Sequence, residues 1–340
     1  MKKLFIISNE SVLSNENNFF CDNIDLKIIS EGLKDKFEVK IIARKSKKER
    51  SHQIKLKNIE IYGNIINFLT GLKKNFKSDH DSKYLIISIT PFTFLASILL
   101  RLFNKRSVVY LRSDGYEEYK SILGFVGPAI YHFMFSIVTR IFPILSCGTR
   151  ILKGKKGNIV LPSQINNNWL TENNTTQTEK VKLLYVGRLK VEKGIFSFLE
   201  ILKKDHEKYI LSIIGSEKKS VTKINQKNVN VYEIENNEQK LIQIYDKHNI
   251  FVLPSFTEGH PMVLLEALSR LRPVIIFPEI EHVVGNKKGI FVAERNYKSF
   301  AERVDYIIKN YTHIQSEMKK NDLPTKNKCL QDLGSFIYDI

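Results

Sequence analysis

Residues 251–267, with the sequence FVLPSFTEGHPMVLLEA, hold two carboxylates around a loop that could bind an anion. An apolar run typical of a buried strand comes first, and a helix is predicted to begin near Pro261 or Met262, where the missing N–H of a proline costs no helical hydrogen bond. The free N–H groups of that first turn, at the positive end of the helix, suit a diphosphate. Glu258 lies in the loop and Glu266 lies about one turn into the helix. Because a carboxylate accepts hydrogen bonds from two hydroxyls, the pair could hold the vicinal diols of a sugar and of a ribose.

Residues 183–194, with the sequence LLYVGRLKVEKG, place two cations after a second buried strand. Gly187 lets the backbone turn tightly or approach a ligand, and Arg188 and Lys193 flank the loop before the next predicted helix. Two fixed cations beside a diphosphate would neutralise the charge that builds up as it departs. They would do the work of the metal ion that other transferases use, so we expect no metal cofactor.

Taken alone, each signal has an ordinary structural explanation, because a Gly-Arg after a strand is commonly a turn and a loop glutamate is commonly solvated. Together, in this order and about 70 residues apart, they are specific. The pattern Gly187-Arg188 with Glu192-Lys193-Gly194, followed by Glu258 and Glu266, resembles the donor domain of glycosyltransferase family 4. The phrases VLPSFTEGHPMVLLEA and RPVIIFPEI look like the nucleotide-sugar loop and the next strand of that family. The resemblance covers residues 181–292 and is weaker for the N-terminal half.

This resemblance implies a role for each matching residue. Arg188 and Lys193 would contact the donor diphosphate, Glu258 the transferred sugar and Glu266 the ribose. The backbone along Gly187 and from Gly259 through His260 to Met262 and Val263 would support phosphate and sugar, except at the intervening proline, which has no N–H. The family retains the anomeric configuration, and no residue here is a candidate nucleophile. The implied reaction is a same-face displacement in which the departing diphosphate takes the acceptor proton and the protein supplies position and charge.

The N-terminal half departs from the family pattern. The family often has a glycine-rich loop after its first strand, whereas residues 9–23 contain no glycine. Residues 107–115 resemble the strand whose end often bears a His or Asp near the acceptor hydroxyl, which makes Asp114 a candidate beside Arg112. The alternative is that Asp114 only caps the turn that follows the strand.

Apolar runs alternate with helix-like stretches along the chain, which is typical of parallel α/β layers. Strands are predicted at 4–8, 38–42, 85–89 and 107–111, then at 182–186, 209–214, 229–232, 250–253 and 274–277. Helices are predicted at 22–34, 194–203, 238–246 and 263–271. The expected fold is the GT-B type of α/β protein, in which two Rossmann-like, doubly wound domains face a cleft that holds the ligands.

The polar segment NNNWLTENNTTQTEK, at 166–180, is predicted to be a linker, because it has too few apolar residues to bury a core face. The predicted domains are 1–165 on the acceptor side and 181–340 for the nucleotide-sugar donor, with the C-terminal helix able to pack back on the first. Three cysteines without paired spacing fit a reducing cytosol. The N-terminal apolar run is too short for a signal peptide and is read as a buried strand.

The net charge of +17 is concentrated in the N-terminal half. Residues 1–170 hold 27 Lys and Arg against 14 Asp and Glu, with clusters at 44–50 and 153–156. Such a surface attracts an anionic membrane or a phosphorylated substrate, or it only keeps the protein soluble. Nucleic acid is not an expected partner, because no recognition motif accompanies the clusters.

Two apolar segments, 84–103 and 122–145, raise the question of a membrane span. Pro91 divides the first into a strand and a helix, and the second has Gly127-Pro128 near its start and an arginine inside it, whereas a span needs about 20 uninterrupted apolar residues. Buried domain helices are therefore the main expectation, and shallow insertion at a membrane surface is the second.

The sequence predicts a retaining hexosyltransferase that needs no metal. It would move sugar from a nucleotide diphosphate-sugar, a UDP-sugar by default, to a cell-surface glycan such as a capsule or O-antigen precursor on a polyprenyl diphosphate. Its expected location is the cytoplasm, on the inner face of the plasma membrane. The alternatives are a nucleotide-sugar epimerase on the same fold and a binding protein with a degenerate site.

Overall fold

The computed structural model describes residues 1–16, 18–77, 81–171, 180–205, 207–216, 224 and 226–340. The chain divides into two compact units, of which the first is Met1–Pro162 with Lys326–Ile340 and the second is Ser163–Thr325. The boundary therefore lies at Pro162, and the last fifteen residues group with the N-terminal unit.

The described residues form fifteen strands and twelve α-helices. The strands are β1 (Lys2–Asn15), β2 (Asn18–Cys21), β3 (Phe37–Lys45), β4 (His52–Ile54), β5 (Ile59–Tyr62), β6 (Lys83–Ile87), β7 (Arg106–Leu111), β8 (Ile144–Ser146), β9 (Asn158–Ile159), β10 (Val181–Val186), β11 (Tyr209–Ser216), β12 (Val229–Glu233), β13 (Ile250–Leu253), β14 (Val274–Ile276) and β15 (Ile290–Val292). The helices are α1 (Ile24–Gly32), α2 (Ile65–Lys74), α3 (Pro91–Leu102), α4 (Gly115–Leu123), α5 (Gly127–Ile141), α6 (Asn167–Leu170), α7 (Ile195–Leu202), α8 (Glu238–Asp246), α9 (Met262–Ser269), α10 (Tyr297–Lys309), α11 (Tyr311–Met318) and α12 (Lys326–Asp339).

The first unit is built on a parallel sheet in the order β5-β3-β1-β6-β7-β8-β9. Alternate residues of β1 point to opposite faces, and both faces are covered. Leu4 and Ile6 pack with residues of α1 and α12, whereas Phe5 and Ile7 pack with residues of α2, α3 and α5. A sheet buried on both sides reads in sequence as continuous apolar runs, and this is why its central strands could be predicted.

The segment after the first strand is a β-hairpin. β1 continues to Asn15 and pairs with β2 in the antiparallel direction, and β2 pairs in turn with β4. Residues 9–23, which lack the family's glycines, therefore extend the sheet instead of forming a tight glycine-rich loop. Asn17 lies outside the described residues.

The run Gly115–Ile141 is long and apolar enough to be a candidate membrane span, but it is made of α4, a 3₁₀ turn and α5. Its most apolar 18 residues are only 28% buried. The expectation of a buried domain helix at 122–145 therefore holds for the inner face of α5, which packs in the core, and fails for the rest of the segment. The split of 84–103 at Pro91 is confirmed, because β6 ends before it and α3 begins at it.

The second unit is a parallel sheet in the order β12-β11-β10-β13-β14-β15. The strand order reverses between β10 and β13, which makes this unit doubly wound. Its core is one cluster that joins the sheet to α7, α9 and α10 through residues such as Phe198, Leu264 and Val304.

The prediction of a linker from residue 166 is wrong at its start. Asn166 caps α6, and Trp169 within it is buried against Tyr245 with ring centroids 5.6 Å apart. Arg270 holds the end of this segment through hydrogen bonds of 2.8 Å to Trp169 O and 2.7 Å to Thr171 O. Residues 166–171 thus belong to the second unit, and the rest of the predicted linker up to 179 lies outside the described residues.

Candidate active site

The two motifs meet at the point where the strand order of the second unit reverses. Gly187 and Arg188 follow β10, residues 254–258 follow β13, and the two strands are parallel neighbours. Open α/β sheets bind ligands outside the carboxyl ends of their strands at such a reversal. The topology therefore brings together two loops that are about 70 residues apart in sequence.

The two loops touch through their backbones. Gly194 is the N-cap of α7 and has a left-handed φ of +63°, and a Cβ on it would lie 1.8 Å from Pro254 O. The backbone N–H of Phe256 donates to Glu192 O at 3.0 Å. Only glycine fits at position 194, so the glycine of the motif serves the approach of the two loops.

A lysine and a glutamate join the side chains of the two loops. Lys193 Nζ lies 2.7 Å from Glu258 Oε1, and Ser255 Oγ donates to the same oxygen at 2.7 Å. The backbone oxygen of Glu258 lies 2.8 Å from His282 Nε2. The carboxylate is held from two sides and the loop from a third, so Glu258 has a fixed position at the carboxyl edge of the sheet.

Arg188 is exposed and lies in the same loop as Lys193, between β10 and α7. Its backbone oxygen accepts a hydrogen bond from Tyr185 Oη at 2.9 Å, which fixes the turn after β10. No ion pair of its guanidinium is found among the described residues. Gly187 lies beneath, with φ +158°, packed against the backbone of Gly215. Arg188 is therefore a cation on a fixed backbone with donors left for an anion.

The helix predicted to begin near Pro261 or Met262 is present. α9 begins at Met262 with Pro261 as its N-cap, and the proline side chain offers no acceptor for the first amides. Gly259 and His260 complete the loop, and the amides of Met262 and Val263 lie in the first turn. These N–H groups at a positive helix end are suited to phosphate oxygens.

Glu266 has a different environment from Glu258. Its carboxyl is buried and accepts a hydrogen bond from Tyr245 Oη at 2.8 Å. Burial raises the pKa of Glu266 to about 7, against the lowering effect of the tyrosine hydrogen bond, and burial also raises the pKa of Tyr245. The ribose contact proposed for Glu266 stays a prediction.

Arg295 is a residue that the motifs did not reveal. Its guanidinium pairs with both carboxylate oxygens of Glu279 at 2.9 and 3.0 Å and donates twice to Pro254 O at 3.1 Å. It also reaches Ser197 Oγ at 2.9 Å. The rings of Phe256 and Phe277 lie 4.2 and 4.4 Å from its central carbon. One arginine after β15 thus ties together α7 and the segments that follow β13 and β14.

Asp114 lies in the first unit and is the N-cap of α4. One carboxylate oxygen accepts from the N–H of Tyr116 at 3.1 Å, and the other lies 2.6 Å from Lys153 Nζ. Arg112 forms a partly buried ion pair with Asp25. The capping alternative for Asp114 is therefore realised, and its role toward an acceptor stays a prediction.

No group of three or more His, Cys, Asp or Glu side chains able to hold a metal ion is found in the described part of the chain. The sequence does contain one Asp-x-Asp spacing, Asp79-His80-Asp81, of which only Asp81 is described. Asp81 lies 2.9 Å from Arg106 at the amino ends of β6 and β7, the edge opposite to the one where ligands bind.

The structural neighbours share this architecture over the whole chain. Sucrose-phosphate synthase from Thermosynechococcus elongatus superposes with a TM-score of 0.76 at 13% identity, covering 99% of both chains. Anabaena Alr3699/HepE in complex with UDP and glucose gives a TM-score of 0.72 at 12% identity, covering 100% of both. The fold is GT-B. At these identities the likeness establishes the fold alone.

The sequence comparisons match this chain to glycosyltransferases, and the family match lies in the second unit. Residues 169–322, a little under half of the chain, match the family described as glycosyl transferases group 1. An uncharacterized glycosyltransferase of Haemophilus influenzae is 29% identical over 156 residues, and the capsular polysaccharide biosynthesis glycosyltransferase CapM of Staphylococcus aureus is 31% identical over 157. The matches cover 42% and 40% of this chain and 44% and 41% of those proteins, so the chain spans less than half the length of the curated relatives it matches.

Proposed function

We propose that this protein is a retaining glycosyltransferase that moves a sugar from a nucleotide diphosphate-sugar to a cell-surface glycan. The observation that carries the proposal is the Lys193–Glu258 pair, which joins the two loops at the reversal of strand order. Arg188 lies in the first of these loops and is exposed, and the second loop leads into the first turn of α9. The group 1 match over the same unit and the polysaccharide relatives support the same class of enzyme.

The cations account for leaving-group stabilisation in this proposal. A lysine ammonium has three donors, and one of them is used by Glu258, so two remain for a diphosphate. Arg188 adds a second positive charge, and the amides of Met262 and Val263 add a helix terminus. Charge that develops on the departing diphosphate would meet groups already in place, which is the arrangement that lowers a barrier without a metal ion.

Glu258 would accept hydrogen bonds from hydroxyls of the transferred sugar, and Glu266 from the ribose. A UDP-sugar is the proposed donor, and the solved structures of HepE with UDP and glucose and of Staphylococcus aureus MnaA with UDP support that choice. The proposed acceptor is a glycan on a polyprenyl diphosphate. The enzyme would act from the cytoplasmic face of the plasma membrane.

A nucleotide screen tests the donor half of the proposal. Thermal unfolding is measured with UDP, GDP, ADP and their sugars, and a ligand at a hundredfold its Kd should add about 2.7 kcal/mol. The unfolding temperature of the wild-type protein should rise with the nucleotides of one base. The double variant Glu258→Gln with Arg188→Ala should not show that rise. Absence of a shift with every nucleotide would refute a nucleotide-sugar site.

The stereochemistry is tested with the donor that the screen identifies. Products made from a short glycan acceptor are examined by NMR as soon as they form. The proposal expects the anomeric configuration of the donor to be kept, and an inverted product would overturn the retaining assignment while leaving the transferase intact.

A further inference from the structure

The first unit has an apolar helical hairpin, made of α4 and α5, whose tip and outer side are not covered by the core of the unit. Tyr116 on α4 contacts Tyr131 and Phe135 on α5, with ring centroids 4.9 and 5.7 Å apart, and Tyr119 contacts Tyr131 at 5.3 Å. These contacts run in opposite directions along the two helices, so α4 and α5 lie antiparallel. The 3₁₀ turn Gly124–Val126 joins them as the tip of the hairpin.

Two glycines form a tight turn at the tip of the hairpin. Gly124 has a φ of +65°, and a Cβ on Gly127 would lie 2.0 Å from the backbone oxygen of Tyr119. The two glycines bring the helices together and turn Phe125 outward, where 92% of it is exposed. Five more large apolar residues of the hairpin are exposed, namely Ile122, Leu123, Val126, Ile130 and Phe133. We call these six residues the apolar tip.

The hairpin geometry excludes a simple membrane span through Gly115–Ile141. The run reverses direction at the tip, so it cannot cross a bilayer as one helix. The inner side of α5, including Met134 and Val138, belongs to the core of the first unit. Only the outer side and the tip are available to a partner.

The apolar tip is uncharged, and contacts through α3 link the hairpin to the basic segment 44–50. No charged residue occurs from 121 to 131, so the apolar tip carries no ion, and the acidic residues Glu117 and Glu118 lie at the opposite end of α4. A chain of contacts links the hairpin to the basic segment 44–50. Phe133 contacts Phe94 at 5.9 Å, and the Arg44 guanidinium lies 4.7 Å from the ring of Phe92 in the same helix α3.

Within that basic segment the free cations are the lysines. Arg50 is paired with Asp22 at 2.5 Å, whereas Lys45, Lys47 and Lys48 are exposed and make no ion pair among the described contacts. The first unit thus combines an uncharged apolar projection with exposed lysines that contacts through α3 link to the same hairpin. These two features match the two layers of an anionic membrane surface, whose acyl region accepts apolar side chains and whose headgroups attract lysines.

We propose that the apolar tip inserts into the surface of a bilayer that contains anionic lipid, with Lys45, Lys47 and Lys48 against the headgroups. This docking stands independently of the glycosyltransferase proposal, because it is read without donor or acceptor. It would place the first unit at the membrane where a lipid-linked acceptor resides.

Vesicle co-sedimentation tests the insertion. Wild-type protein is mixed with phosphatidylcholine vesicles with and without phosphatidylglycerol. It should bind only the anionic vesicles and should be released between about 50 and 500 mM salt. The variant Ile122→Ser with Phe125→Ser should lower the partition coefficient by about tenfold or more.

The chain offers a matched control. Ile66 on α2 is 72% exposed in the same unit, against 73% for Ile122. Ile66→Ser should bind vesicles like wild type. Lys47→Gln with Lys48→Gln should weaken binding, whereas Lys298→Gln with Lys309→Gln, which removes two exposed charges from the second unit, should not.

Tryptophan fluorescence measures how deeply the apolar tip inserts into the bilayer. The chain has one tryptophan, Trp169, which is buried, so an indole introduced by Phe125→Trp can be followed above a constant background. Its emission should shift to shorter wavelength with anionic vesicles and should be quenched by brominated acyl chains. Equal binding by the Ile122/Phe125 double variant and by wild type, or an unshifted indole, would overturn the proposal. So would sedimentation equilibrium showing that the apolar tip instead joins two copies of the chain, with no binding to vesicles.

Discussion

Lys193 Nζ and Glu258 Oε1 lie 2.7 Å apart, across the two loops that follow β10 and β13. The pair stands at the reversal of strand order, so it is both a tie between the loops and the centre of the proposed site. Ser255 donates to the same carboxylate oxygen at 2.7 Å, so Glu258 is held by a second contact besides that of the lysine. Substitutions in the pair are therefore expected to affect both stability and turnover, and the two effects can be measured separately.

Glu258→Gln and Lys193→Ala should each reduce turnover by about tenfold to a thousandfold, the range for loss of one transition-state contact. Stability should change by only about 1 kcal/mol, because the pair is partly exposed. Initial rates and thermal unfolding of the same preparations give both numbers. Lys190→Ala, which removes an exposed lysine from the same loop, is the control and should keep normal rates. Wild-type turnover in Glu258→Gln would remove Glu258 from the site.

Arg188→Ala should lower turnover by about tenfold to a thousandfold as well, since its guanidinium is proposed to share the charge of the leaving diphosphate. The rate should be unchanged by EDTA, because the two cations take the place of a metal ion. Loss of activity on chelation that magnesium or manganese restores would contradict this assignment.

Gly194→Ala should destabilise the second unit by about 2 kcal/mol or more and should abolish turnover. Its left-handed backbone disfavours a side chain, and the new Cβ would meet Pro254 O. Urea unfolding and rates measure the two effects. Gly63→Ala is the control, because a Cβ at Gly63 has no atom within 4 Å. A Gly194→Ala variant as stable and active as wild type would show that the loops need not approach so closely.

The sequence predicted the parts that depend on burial and local turns. The run 250–253 was read as a strand because a strand covered on both faces is continuously apolar, and it is β13. The start of α9 at Met262 followed from a proline at a helix entrance. The hairpin of β1 and β2 was missed because its polar residues carry no strand signal, and the exposure of the apolar tip was missed because apolar content alone does not say which side of a helix is covered.

The candidate site also has one part that the sequence predicts and one part that it does not. The motif residues could be named from spacing, whereas Arg295 could not, because its partners Ser197, Pro254 and Glu279 are scattered in sequence and meet only after the sheet forms. The composition of its neighbours places Trp169 in a linker, although a lone tryptophan in a polar segment signals burial.

Arg295→Lys should lower turnover at saturating donor by about a hundredfold, as expected when a loop that carries a catalytic group moves by about 1 Å. A lysine cannot reproduce the paired contacts to Glu279 and Pro254 or the stacking between two rings. Rates are compared well below the unfolding temperature. Arg303→Lys, which changes an arginine that contacts Val292 O away from the loop, should remain active. A lowered unfolding temperature with normal turnover would restrict Arg295 to a structural role.

Glu266 should make the stability of the second unit depend on pH. The ordinary pKa of its carboxyl is 4.5, and burial raises it to about 7 in the folded protein. Below the ordinary value both states hold the proton. As pH rises toward 7 the unfolded chain releases it first, so the folded state loses stability on the order of 3 kcal/mol, and above the folded pKa the loss is constant.

The measurement compares wild type with Glu266→Gln, which cannot ionise, by urea unfolding between pH 4.5 and 8. Fluorescence of Trp169 reports on this unit, because its ring lies 5.6 Å from that of Tyr245, the partner of Glu266. The free energy of unfolding of wild type relative to the variant should fall across this range and level off above pH 7. Tyr245→Phe should enlarge the fall and carry it to higher pH, since loss of the hydroxyl that stabilises the carboxylate raises the pKa of Glu266 further. A difference that does not vary with pH would mean that Glu266 is ionised throughout and is better solvated than its buried position indicates.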